Sequence, residues 1–291
     1  MPADLSGDVL TESVVASFAT THDERHREIF VSLTRHLHAF VREIKPSIAE
    51  WQAAIDYLTA TGHMSSETRQ EFILLSDVLG VSMLVETLND AEVPDATDST
   101  VLGPFHMVKS PSRKLGDDIS PRSEGDRVVV RGRVTDLAGR PLGGAVVDVW
   151  QADAAGFYDV QEPDQQGIGN GRGLLRADEE GAFWFRTVVP RYYPIPTDGP
   201  VGVLLKVAGR HPNRPAHIHF LVDHPDASEL TTHVFVAGSP YIESDAVFAV
   251  KSSLVTEFAE VDDSAAATQF GVENPFREAV INLVLRPSRL A

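Results

Sequence analysis

The chain has 291 residues, enough for one large domain or two smaller ones built around a real core. It carries 25 Lys+Arg against 42 Asp+Glu, a formal net charge of −17, which repels phosphate backbones and argues against a nucleic-acid partner. Cys is absent, so disulfides, Cys-ligated zinc, iron–sulfur clusters and thiol nucleophiles are excluded, and any metal must rest on His, carboxylate or phenolate.

No apolar run reaches the roughly 20 residues of a membrane helix. The N-terminal MPADLSGDVLTES is polar and acidic, unlike a secretory leader. The expectation is a soluble, cytoplasmic protein with no membrane partner. Residues 22–44 place Ile29, Leu33, Leu37, Phe40 and Ile44 at helical spacing, with Thr21 and Glu24 as the expected capping box. Pro46 breaks that run. Ser47 and Glu50 repeat the signature before Trp51, Ile55 and Leu58, and Gly62 is expected to end the second helix. A longer helix is expected over 66–90. Phe72, Leu75, Leu79 and Met83 form one stripe and Leu74, Val78, Val81 and Val85 the next, so it should be buried on more than one side. Residues 108–125 are rich in Ser, Pro, Gly and charge and read as a linker or surface excursion.

Beyond it the period changes to two. Strands are expected over 127–134, 145–152, 174–177, 182–189, 217–222, 231–236 and 279–285, separated by Gly/Pro turns. The expected fold is α+β: a helical domain over 1–107, the linker over 108–125, and an antiparallel β-sandwich domain over 126–291.

The most informative stretch is Arg214-Pro215-Ala216-His217-Ile218-His219-Phe220. Residues i and i+2 of a strand share a face, so His217 and His219 would present two imidazoles side by side, an arrangement suited to a transition metal. His36 and His38 have the same spacing on a predicted helix, where side chains two apart diverge by roughly 200°. They are read as ordinary helix residues. The remaining ligands would come from a carboxylate or from the tyrosines at 158, 192, 193 and 241; equally, a tyrosine at a loop edge can be a plug with its hydroxyl on backbone. Asp77 is a further oddity. Its helical neighbours Ile73, Leu74, Gly80 and Val81 are nonpolar, so its carboxylate either is satisfied at a packing seam or awaits a ligand.

The series Trp150…Asp153…Gly156-x-Tyr158, Tyr193-x5-Gly199-Pro200 and Arg214-Pro215-Ala216-His217-x-His219 resembles the intradiol ring-cleaving dioxygenases over most of the chain. The resemblance implies one mononuclear, non-haem Fe(III) per chain, held by Tyr158, Tyr193, His217 and His219, with Tyr192 the ambiguous neighbour of Tyr193. It implies a small phenolic substrate bound through adjacent oxygens, with Tyr193 taking up a proton, Arg214 stabilising charge on the ring, and both atoms of O2 entering a cis,cis-muconate. The need for no external reductant agrees with the lack of a dinucleotide fingerprint. His233 stands where catechol-specific relatives commonly carry Gln, and is expected to support Arg214 or the oxygen adduct.

Leu74-Leu75-Ser76-Asp77, Gly103-Pro104-Phe105, Tyr193-Pro194-Ile195-Pro196 and Thr231-Thr232-His233 resemble the hydroxyquinol branch of that family. That branch acts on benzene-1,2,4-triol, and its product tautomerises to maleylacetate. The implied pocket comprises Leu74, Asp77, Val101, Leu102, Gly103, Pro104, Phe105, Ile195, Pro196, Arg214 and Val247, with Asp77 accepting from the extra ring hydroxyl. Leu102 departs from the aromatic residue common there. Family members are commonly homodimers joined through the helical segment, some with a phospholipid in it. Three rival readings stand beside this one: the same reaction on catechol or a chlorocatechol, a non-catalytic ligand-binding sandwich, and a His-ligated zinc hydrolase.

Overall fold

Asp23, not Thr21, caps the first long helix: its side chain accepts from His26 N at 2.7 Å. The computed structural model describes residues 7–288 apart from 67–68, 91–92, 94 and 107–108. The chain forms two compact units, residues 1–60 and 61–291. Helices come first: α1 (Gly7–Ser17), α2 (Glu24–Ile44) and α3 (Ile48–Met64). The Ser47/Glu50 capping box forms reciprocally, with Ser47 N donating to Glu50 Oε2 at 2.8 Å and Glu50 N to Ser47 Oγ at 3.2 Å. Gly62 does not stop α3, which continues to Met64.

The single helix expected over 66–90 is two, α4 (Glu71–Val78) and α5 (Val81–Asp90). Gly80 separates them at φ +73°, a conformation that L side chains avoid and that ends a helix.

The β region follows as β1 (Arg127–Asp136), β2 (Val146–Gln151), α6 (Pro163–Gln166), β3 (Arg172–Arg176), β4 (Ala182–Val188), β5 (Tyr193–Pro194), α7 (Pro200–Val207), β6 (Asn213–Arg214), β7 (His217–Asp223), β8 (Leu230–Val236), β9 (Val255–Thr256), β10 (Ala259–Val261), α8 (Ser264–Phe270) and β11 (Phe276–Leu285). Two sheets form, ordered β10-β11-β1-β4 and β3-β2-β7-β8-β9, with β5 and β6 as a separate pair. The expected sandwich is present, but its sheets are mixed: β11 runs parallel to β1, and β9 parallel to β8. Residues 109–125 are pinned to it, since Ser112 bridges Leu174, Asp118 bridges Arg186, and Ile119 is fully buried in the core.

Strand alternation sorts the five-stranded sheet into two faces. Val147, Val149, Ile218, Phe220, Val222 and Val234 join Val128, Val130, Phe183 and Phe185 in the apolar core. The opposite face carries the chemistry. Pairing of β2 with β3, β7 with β2 and β8 with β7 sets Arg172, Trp150, His219 and His233 in one row across four strands. His217, opposite Phe235, begins the adjacent row.

Candidate metal centre

Four separate pieces of chain bring the candidate ligands together. His217 and His219 share the polar face of β7, as their spacing predicts. The β5–β6 pair sets Tyr193 opposite Arg214. Tyr158 follows a tight turn in which Asp153 Oδ1 accepts from the backbone of Ala155, Gly156 and Phe157 at 2.9, 2.9 and 3.0 Å. Gly156 is required there: its φ is +95°, and a Cβ would lie 2.9 Å from Tyr192 O. Behind Tyr158, Asp159 is locked by Arg172, with Nε at 2.8 Å and Nη2 at 2.7 Å from Oδ1, both residues buried.

The four donor atoms close into a ring. Tyr158 Oη lies 3.0 Å from His219 Nε2 and 3.3 Å from Tyr193 Oη. Tyr193 Oη lies 3.5 Å from His217 Nε2, which is 3.2 Å from His219 Nε2. Metal–nitrogen and metal–oxygen bonds run at roughly 2.0–2.2 Å, so donors about 3 Å apart suit one shared ion. Burial pushes both tyrosine hydroxyls above their ordinary pKa, Tyr158 far above, while Arg214 pulls each the other way. Burial holds His217 and His219 well below 6.5, Arg214 adding to the effect on His217, and His217 and then Arg214 to that on His219. Neutral imidazoles can ligate, and a bound cation is what would make phenolates of the two hydroxyls. Tyr192 is turned away, its ring 5.1 Å from Tyr241.

His217, His219 and His233 also offer nitrogens within 4.8 Å of one another. Both nitrogens of His233 are engaged, however: Nδ1 with Thr100 Oγ1 in a short contact, Nε2 facing Arg214 Nη1 at 3.4 Å. The hydroxyls of Tyr158 and Tyr193 lie 3.0 and 3.5 Å from His219 Nε2 and His217 Nε2 and close the ring of donors, so the tyrosines complete the site better than His233 does. Arg214 is itself buried. Asp245 holds it with Oδ1 at 3.1 Å from Nε and Oδ2 at 3.3 Å from Nη2, leaving Nη1 3.4 Å from His217 Nε2. Burial opposes its charge, but Asp245, then the tyrosines, more than offset this and keep it protonated. Asp245 also accepts from Val247 N and Ala249 N.

Known proteins match this chain over most of its length. The "Dioxygenase" family profile matches residues 103–287, and "Catechol dioxygenase N terminus" matches 23–97. This chain belongs to the intradiol dioxygenase family. The 6-chlorohydroxyquinol 1,2-dioxygenase of Cupriavidus pinatubonensis is 49% identical over 267 residues, 91% of this chain and 96% of that protein. The hydroxyquinol 1,2-dioxygenase of a Rhizobium species is 47% identical, over 90% of this chain and 89% of its own. The crystal structure of hydroxyquinol 1,2-dioxygenase from Pseudomonas putida superposes with a TM-score of 0.88 at 44% identity, covering 97% of this chain and 99% of that one.

In this intradiol dioxygenase the residues expected around the substrate fall into two groups beside the donors. Leu74, Val101, Ile195 and Val247 are buried in one apolar cluster with Phe235. Phe105 belongs to another with Trp150, Tyr158 and Tyr193, and stacks on Tyr158 at 4.3 Å between ring centres. Pro104 and Pro196 are half-buried. Gly103 touches His219: a Cβ there would lie 3.0 Å from Cε1. Leu102 is exposed, so the structure does not bring it into either cluster. Asp77 is buried with Oδ1 unpartnered among the described residues. Burial raises its pKa, Ser82 and Arg214 lower it, and Asp245 raises it. Sequence reasoning missed Asp245 and Thr100, which hold Arg214 and His233; neither lies in a periodic segment or a recognisable motif.

Proposed function

We propose that this chain cleaves the ring of benzene-1,2,4-triol with O2 between its two adjacent hydroxyls, at one Fe(III) held by Tyr158, Tyr193, His217 and His219. The closed ring of four buried donors carries the reading. Phenolate oxygens are hard ligands, and two of them with a hydroxide offset three positive charges, which favours iron in its trivalent state. Held by these four residues, Fe(III) would supply the Lewis acidity that opens a deprotonated, electron-rich ring to O2.

The chain's own residues do the rest. Tyr193 Oη takes up one substrate proton. Arg214, a permanent cation beside Tyr193 and His217, stabilises negative charge developing on the ring. His233 holds Arg214 Nη1 from the other side. The apolar clusters exclude water and strengthen these interactions. Asp77 Oδ1 is buried and unpartnered among the described residues, an acceptor suited to the third hydroxyl, and this favours the triol over catechol or a chlorocatechol. The names of the relatives point the same way. The product is a 3-hydroxy-cis,cis-muconate that tautomerises to maleylacetate. We infer in addition a homodimer formed through the helical segment, supported by the exposed apolar side chains of α2 and α3, with any co-purifying phospholipid on that same face.

Oxygen uptake with the triol, catechol and chlorocatechols tests the assignment. A hydrogen bond to a charged group is worth about 1.5–3 kcal/mol, so Asp77→Ala should lower kcat/KM for the triol roughly 10–100-fold and leave catechol turnover nearly unchanged. Equal losses on both substrates would overturn the role of Asp77. The iron-loaded protein should be red-brown from phenolate-to-iron charge transfer, and a colourless protein with one tightly bound iron would overturn the ligand set.

A further inference from the structure

The two site histidines differ in how their second ring nitrogen is held. His217 Nδ1 lies 2.7 Å from Pro215 O, so it donates there and frees Nε2. His219 offers Nε2 to the ring of donors, 3.2 Å from His217 Nε2, and ligation through Nε2 leaves its ring proton on Nδ1. That Nδ1 is buried and has no hydrogen-bond partner among the described residues. A buried N–H without an acceptor costs about 1–3 kcal/mol by general experience, and ligating histidines almost always spend the second nitrogen on a carboxylate, carbonyl or water.

Two more unpartnered polar atoms belong to the same face of the sheet. Trp150, paired with His219 across β2 and β7, stacks on its ring at 4.6 Å and 13°, and its Nε1 is likewise unpartnered. Asp148, two residues before Trp150 on the same face, uses Oδ2 at 3.2 Å from His106 Nε2 and leaves Oδ1 unpartnered and buried. The His106 ring lies 4.4 Å from that of Trp150, tilted by 44°, and Gly103 packs on His219, so the segment 103–106 lies against both rings. Diagonal neighbours on a sheet face stand roughly 7–8 Å apart at Cβ, a span that one water between two polar tips can bridge.

We propose that Asp148, Trp150 and His219 form a buried water site that fixes the tautomer and orientation of His219. The hydrogen bonds balance with a single water. It accepts from His219 Nδ1–H and Trp150 Nε1–H and donates to Asp148 Oδ1, giving three bonds, the usual number for a buried water. Asp148 is then a positioning residue: it acts on the metal centre through the water and the imidazole, and His106 holds its other oxygen in place.

The ring nitrogens report on this without metal. In iron-free protein labelled with 15N-histidine, His219 should show a proton on Nδ1 that exchanges slowly with solvent, as should His217. Asp148→Leu should speed exchange at His219 at least 10-fold and leave His217 unchanged. Asp148→Asn keeps an acceptor oxygen and should restore slow exchange. Where Asp148→Leu fails to fold, Trp150→Phe keeps the stack, removes one donor and reads the same proton. In iron-loaded protein, where the inference also rests on the proposed ligand set, Asp148→Leu should pass iron to a chelator about 10–100-fold faster than wild type. Exchange at His219 that ignores Asp148→Leu, or a proton on Nε2 instead, overturns the proposal. Slow exchange that depends on Asp148 in a protein that binds no iron supports the water site and overturns the iron reading instead.

Discussion

His217, His219 and His233 stand together in the sheet, all fully or nearly buried, and all hold pKa values well below 6.5. Burial is the main cause for each, and neighbouring cations and imidazoles add to it. When the iron-free chain unfolds, each ring meets water and titrates near 6.5. The unfolded state therefore binds more protons as pH falls through that value, and stability is lost on the acid side. Each histidine contributes a slope of about 1.4 kcal/mol per pH unit, so three approach about 4 kcal/mol per unit once pH is well below 6.5. Asp77 and Glu86, both raised mainly by burial, oppose this by at most one proton each. Urea unfolding of the iron-free protein at pH 7.5, 6.5 and 5.5 should show the loss, and a flat profile would contradict neutral burial of these rings. The closeness of His217 and His219, the candidate ligands among these residues, was legible because strand spacing puts them on one face. The supports of His233 and Arg214 were not: Thr100 reaches His233 across 133 residues, and Asp245 reaches Arg214 across 31. Such pairings depend on where the chain returns, which no local pattern encodes.

Elements were legible where one period dominated. The seven expected strands all exist near their expected bounds, and the pairing of His217 with His219 on one face follows from the strand itself. Two features went unread. Apolar periodicity ran through Gly80 without a break, though the backbone turns there. The direction of β11 beside β1 depends on a crossover, and alternation is the same in parallel and antiparallel strands. Gly103 shows what a single backbone position does for the site. It sits at φ +77°, and an added Cβ would lie 3.0 Å from His219 Cε1. Gly139 is the natural control, with φ +74° and nothing within 4 Å of an added Cβ. Both Gly→Ala changes impose left-handed strain of about 1–2 kcal/mol, lowering Tm by a few degrees. Gly103→Ala should in addition displace His219, shift the visible absorption band and cut turnover. If Gly139→Ala has the same effect on the band, displacement of His219 is not the cause.

At the scale of the molecule, the −17 charge and the apolar helices act on different partners. A neutral triol feels little of the protein's field, so its capture needs no electrostatic steering, and the buried cation Arg214 matters only once charge develops on the ring. The helices are another matter. None of α2 is buried, yet Leu33, Leu37, Phe40 and Ile44 follow one another at spacings of four, three and four, with exposures of 54, 53, 58 and 58%. On α3, Trp51, Ile55 and Leu58 are exposed as well. An isolated apolar side chain on a surface needs no explanation, but a continuous helical stripe does. Its spacing is that of a helix that packs on another along a seam. The prediction is a dimer whose interface includes this stripe. Sedimentation of wild type should give twice the mass of one chain at micromolar concentration. Leu37→Glu with Phe40→Glu places two charges in the seam, where burying each unpaired costs several kcal/mol, enough to give monomers. The four donors lie in residues 61–291, outside the helix being altered, so the variant should keep its iron band. A variant that remains dimeric would move the interface off this stripe, and a monomeric variant that also lost its colour would make assembly a condition for the metal centre.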